Sequence, residues 1–97
     1  MTEHEAITQI TMELRRAIEK FPTFPTDVIH QAAIVAEEAG ELSQAALQVT
    51  YEGGSFESVE TEAIQTAAMA LRLLIHNNMV RPSQQEPSAD SGEQTTR

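Results

Sequence analysis

His30–Leu42, HQAAIVAEEAGEL, is the stretch from which the fold of this chain is read. Alanine, glutamate, leucine and glutamine dominate it and no proline interrupts it, so it reads as helix. At about 100° per residue, Glu38 and Glu41 stand one turn apart on the side that carries Ile34 and Ala45. Leu42 flanks that stripe, and His30 and Glu37 lie close to it. Two or three carboxylates therefore sit along a stripe expected to face a core. Burying them unpaired is costly, so they need a cation, a proton or hydrogen bonds. That conflict is the main functional signal in the chain.

Outward from this stretch, Thr26 is the expected N-cap of the helix, with Asp27 at its positive end. The helix should reach Val49 or Tyr51, where Glu52-Gly53-Gly54-Ser55 breaks it. Upstream, Thr2 and Glu5 have the spacing of a capping box, and Ile7, Ile10, Leu14 and Ile18 recur at helical intervals. A first helix from Glu3 to Lys20 follows. Phe21-Pro22-Thr23-Phe24-Pro25 ends it, and its two phenylalanines are expected to pin the connection to the bundle.

A third helix should begin near Phe56 and stop at Asn77-Asn78, with Pro82 just beyond. Its middle is apolar on most sides, with Ile64, Ala67, Ala68 and Leu71 on one face and Met69 and Leu73 roughly opposite. Such a helix is buried from more than one direction, which a partner chain would supply. No alternating pattern or internal repeat competes. The fold class is all-α: an antiparallel helical hairpin plus an N-terminal helix, completing a four-helix-type bundle by oligomerisation.

The 97 residues allow one small domain, expected over residues 1–81. From Pro82 onward, PSQQEPSADSGEQTTR holds no aliphatic side chain larger than alanine and no aromatic, the composition of a disordered tail. About eighty residues make a marginal core, for which oligomerisation is a common remedy. There is no cysteine, hence neither a disulfide framework nor a thiolate metal site. Glu3 and Glu5 with no apolar segment argue against a signal peptide, and no apolar run is long enough to span a bilayer. A cytoplasmic location is the expectation. The net charge of −9 disfavours nucleic acid and anionic membrane as partners and suits a cation binder.

Glu38 and Glu41 can place oxygens around one hard divalent ion. A solvated acidic patch is the bland alternative, and the position on an apolar stripe weighs against it. Glu62-Ala63-Ile64-Gln65 repeats the three-residue spacing on the next helix, and an antiparallel hairpin would bring the two pairs together. The bland alternative is that Glu62 and Gln65 simply face solvent; helical phasing places them off the Ile64–Leu71 stripe, with Glu60 nearer its edge. His30 lies two turns before Glu38, where it could touch a base or a phosphate, or serve packing or the surface. His76 reads as a favourable charge or polar contact near a helix C-terminus. Arg72 and Arg81 could neutralise phosphate, though Arg72 reads first as half of a helix-surface ion pair. The glycine pair has no phosphate-loop lysine, and no Ser/His/Asp nucleophilic motif is present.

Taken together, Glu37-Glu38-x-x-Glu41, a short glycine-containing turn and Glu62-x-x-Gln65 followed by Ala67-Ala68 resemble the MazG-like, all-α nucleotide pyrophosphohydrolases. The resemblance spans roughly Phe24 to Asn78. It implies hydrolysis of nucleoside triphosphates to the monophosphate and pyrophosphate, with Mg2+ (or Mn2+) held by carboxylates, in a homodimer or homotetramer. It implies Glu38, Glu41 and Glu62 as metal ligands, Gln65 as a further one, and Glu37 as the carboxylate that orients the attacking water. Gln65 stands where the family pattern has aspartate; its carbonyl can coordinate magnesium but brings no charge and no base. Thr61 likewise stands where a second glutamate often precedes the ligand. Base selection would come from residues near His30 and the first helix. Phosphoribosyl-ATP pyrophosphatase is a related reading, but its aspartate-containing second motif is missing. The non-enzyme alternative is a catalytically silent helical oligomer that binds nucleotide or a protein partner.

Overall fold

The computed structural model describes residues 1–80, so the tail expected from Pro82 lies outside the described residues. Three helices account for nearly all of them: α1 (Glu3–Lys20), α2 (Val28–Tyr51) and α3 (Phe56–Val80). No strand occurs among the described residues.

α1 begins as its capping box demands. The Thr2 hydroxyl accepts from the Glu5 backbone N–H at 3.1 Å, and the Glu5 carboxylate accepts from the Thr2 N–H at 2.8 Å. α2 starts one residue later than expected, because Asp27 rather than Thr26 is its cap. The Asp27 carboxylate accepts from the His30 N–H at 3.0 Å, bringing a full negative charge to the positive helix end. In the turn after α2, Gly53 takes a φ of 76°, which a glycine adopts without strain. A Cβ on Gly54 would sit 3.1 Å from the Gln48 carbonyl carbon, so glycine lets the chain reverse closely there without a shift of its neighbour. The Ser55 hydroxyl then accepts from the Glu57 N–H at 3.0 Å and opens α3.

Asn77-Asn78 does not stop α3, which runs on to Val80. The Asn77 amide reaches sideways instead and donates to Gln31 Oε1 at 3.0 Å. A side chain committed to another helix does not compete with its own backbone.

α3 is the centre of the molecule. It packs against both α2 and α1, while α1 and α2 hardly touch. α2 returns antiparallel to α3. α1 runs parallel to α3, its start (Ala6, Ile10) facing Glu60–Ile64 and its end (Ile18) facing Ile75. The all-round apolarity of α3 is thus met in part by two neighbours within the chain. The fully apolar core is small: Leu14, Ala17, Ala45 and Ala68. Gln31 is the largest completely buried side chain; its Nε2 donates to the Pro25 carbonyl at 2.6 Å and its Oε1 accepts from Asn77. One glutamine therefore ties the proline-rich connection, α2 and α3 together.

The two phenylalanines divide the pinning role. Phe24 is half-buried, edge-on to His76 at 5.6 Å and beneath the Arg72 guanidinium at 4.7 Å. The Phe21 ring is exposed, but its carbonyl accepts from Arg72 Nη2 at 2.6 Å. Arg72 is not half of a surface ion pair: it is buried, and no carboxylate among the described residues lies within 4 Å of it. His76, a full turn before the helix end, is half-buried with its Nε2 sealed and unpartnered.

Candidate metal centre

Glu38 lies on the packed face of α2, as the stripe with Ile34 and Ala45 requires, and is half-buried. Glu41, one turn on, stands at the exposed edge of that face. Glu62 comes from the facing turn of α3 and is also half-buried, turned towards α2 rather than towards solvent. One carboxylate oxygen from each of the three lies within 4.8 Å of the others. The antiparallel hairpin thus joins the two acidic motifs.

The electrostatics are adverse in the absence of a cation. Burial comes first in pushing the Glu38 carboxyl above its usual range, followed by the charges of Glu41, Glu62, Glu37 and Glu13. Burial also leads for Glu62, then the charge of Glu41 and a proton the two carboxyls can share. Oε1 of Glu38 and Oε1 of Glu62 are sealed from solvent and have no hydrogen-bond partner. Buried acceptors without donors are rare in stable proteins, because each forfeits its hydration for nothing. A hard divalent cation suits this donor set: it takes carboxylate oxygens and removes the repulsion between them.

No family model, curated protein or solved structure matches this chain. The functional reading therefore stands on the side chains and on the resemblance already given.

The remaining expected site residues divide. Gln65, one turn beyond Glu62, borders a cavity of about 210 Å³ with Glu38, Glu13, Arg16 and Arg72. It also borders a larger one, about 410 Å³, with Gln9, Met12 and Thr61. Glu37 is exposed and outside the triad, although its charge acts on Glu38. His30 is exposed in the first turn of α2, some 12 Å along the helix axis from Glu38 at 1.5 Å per residue. Its backbone N–H is engaged by Asp27. Glu60 borders an apolar pocket with Met1, Ala6 and Ile10.

Sequence reading did not single out Glu13 and Arg16 of α1. Arg16 binds Glu13 through two nitrogens, at 3.0 and 2.6 Å, and both border the cavity that Glu38 lines. Their i, i+3 spacing marks an ordinary helix-surface pair; only the parallel docking of α1 on α3 takes them to the site.

The raised carboxyls give a pH test. Glu38 and Glu62 bind protons more tightly folded than unfolded, so their favourable contribution is complete below the unfolded pKa. It is lost as pH rises through their folded values. In chelator, thermal stability relative to Glu38→Gln should therefore fall as pH rises above the ordinary carboxylate range, and millimolar magnesium should restore it. Melts whose difference from Glu38→Gln is flat with pH and unmoved by magnesium would remove the adverse charge from the account.

Proposed function

We propose that the protein is a metal-dependent nucleoside triphosphate pyrophosphohydrolase, converting (d)NTP and water to (d)NMP and pyrophosphate, in the clearance of surplus or non-standard nucleotides. One observation carries the reading: two facing helices present three carboxylates with one oxygen of each within 4.8 Å of the others, and Oε1 of Glu38 and Oε1 of Glu62 are sealed and without partners. Glu38, Glu41 and Glu62 would hold the cation, and the Gln65 carbonyl is near enough in sequence and on the same helix to assist. When bound, magnesium or manganese would neutralise phosphate oxygens and lower the pKa of the attacking water. Glu37, exposed beside the triad, would orient that water for in-line attack at the α-phosphorus, and the bond to the bridging oxygen would break to release pyrophosphate. Partial burial of Glu38 and Glu62 limits water around them and strengthens their hold on charge.

We take the active form to be a homodimer or homotetramer in the cytoplasm. Support for assembly comes from α2, where Ile29, Ala33, Ala36, Gly40, Leu47 and Tyr51 form one exposed face without a charge. A Cβ added to Gly40 would meet nothing within 4 Å, so the chain itself has no steric need of that glycine. Among the described residues no helix is long and apolar enough to cross a membrane.

The test is pyrophosphate release from a panel of ribo- and deoxyribonucleoside triphosphates with magnesium, with manganese and with chelator. Release with either metal and none with chelator is the expected result. No release from any nucleotide by the folded protein would overturn the reading. It would favour the second one, a silent oligomer that binds nucleotide or a protein partner, for which Gln65 in place of a carboxylate is the specific observation.

A further inference from the structure

Arg72 is buried to 7 % exposure near the C-terminal third of α3, with no carboxylate within 4 Å among the described residues. Its two partners, the Phe21 carbonyl at 2.6 Å and the Phe24 ring at 4.7 Å, are both neutral. They orient the guanidinium and offset part of its lost hydration, but they leave its charge uncompensated. Burial pulls its pKa below the ordinary arginine value, yet a guanidinium stays protonated in proteins. A buried charge is ordinarily paired. In a chain that carries 15 Asp and Glu against 6 Lys and Arg, a buried cation with no carboxylate within 4 Å among the described residues is the less expected outcome.

The cavity beside it supplies the context. It holds about 210 Å³, several times the ~30 Å³ share of a water molecule, and is bordered by Arg72, Phe21, Arg16, Glu13, Glu38 and Gln65. Arg16 brings no spare charge, because Glu13 holds it through two nitrogens. None of the nitrogens of Arg72 is among the sealed, unpartnered side-chain atoms, so its free N–H groups still meet open space. One wall of the cavity thus carries an uncompensated cation and another a carboxylate of the triad.

We propose that Arg72 is an oxyanion-binding residue, which receives a phosphate group of the substrate in the cavity between α1 and α3. A guanidinium presents a planar fork that matches phosphate oxygens, and here the Phe21 carbonyl already fixes that fork in place. Preorganisation of this kind reduces the entropy lost on binding. The carboxylates alone would repel a polyphosphate; Arg72 gives it one attractive anchor that is independent of the cation. That the oxyanion is a nucleotide phosphate rests on the pyrophosphohydrolase reading, whereas the anion site itself does not.

The experiment is calorimetric titration of inorganic pyrophosphate into the full chain in chelator, for wild type, Arg72→Met, Arg72→Lys and Arg15→Met, an exposed cation away from the cavity, each checked for helicity and melting. Wild type and Arg15→Met should bind. Arg72→Met should bind about 10- to 100-fold more weakly, the range of a charge-assisted hydrogen bond, and Arg72→Lys should fall between. If Arg72→Met does not fold, Arg72→Lys carries the test, with about a 10-fold loss expected. No binding by wild type, or equal affinity in the folded Arg72 variants, would overturn the proposal. The outcomes separate it from the reading on which it leans. Arg72-dependent binding without turnover of any nucleotide would sustain the anion site and sink the pyrophosphohydrolase. Metal-dependent turnover with Arg72-independent binding would do the reverse.

Discussion

Glu41→Gln is expected to lower pyrophosphate release by about 100-fold or more while helical content is kept and melting in chelator is unchanged or raised. Glu41 is the right member of the triad to alter because it is exposed, so no packing depends on it. Its oxygens lie within 4.8 Å of those of Glu38 and Glu62, and its charge is among the causes that push both of their carboxyls up. Removing that charge relieves the metal-free fold and weakens the hold on a cation. A metal clamp contributes several kcal/mol at the transition state, and each ~1.4 kcal/mol lost is a tenfold drop in rate. Steady-state pyrophosphate release and a circular-dichroism melt on the same preparation read both halves. Full activity in Glu41→Gln would reject the site, and a lost fold would make Glu41 a structural residue.

Gln31→Leu should cost about 2–4 kcal/mol without touching the carboxylates. Leucine has a similar volume but cannot serve the Pro25 carbonyl or the Asn77 amide, which Gln31 meets at 2.6 and 3.0 Å. Each buried polar group left unpaired costs about 1–3 kcal/mol. For a domain of this size 1 kcal/mol moves the melting temperature by about 4–8 °C, so a fall of roughly 10–25 °C is expected. That is a large share of the 5–15 kcal/mol that holds an ordinary domain together. Thermal unfolding followed by helical ellipticity measures it. A fall below about 3 °C would show that water replaces both bonds and that Gln31 is not the tie between the connection, α2 and α3.

What the sequence discloses about this molecule is what local chemistry decides. The Thr2–Glu5 box and the proline pair bound α1 as expected, and the stripe through Ile34 and Ala45 places Glu38 on the packed face of α2. The triad was legible for the same reason: spacing on two helices and a short turn fix which faces meet. Phasing placed Glu62 off the Ile64–Leu71 stripe, which left a solvent-facing position as the bland alternative. With neighbours on both sides, α3 has two inner faces, and Glu62 belongs to the one that meets α2. The polar core was not legible. Arg72 finds Phe21, and Gln31 finds Asn77, across 51 and 46 residues, and nothing in either neighbourhood announces the pairing. Asn77 looked like a helix stop for the same reason: its partner lies on another helix.

The central claim is that Glu38, Glu41 and Glu62 form a divalent-cation site, and manganese binding tests it most directly. Free manganese would be followed by its electron paramagnetic resonance signal during titration into wild type and Glu41→Gln. Wild type should quench the signal with saturable stoichiometry, magnesium should restore it by competition, and Glu41→Gln should bind at least about tenfold more weakly. Wild-type and variant curves that coincide would contradict it, and the three carboxylates would then be an acidic corner of a helical hairpin.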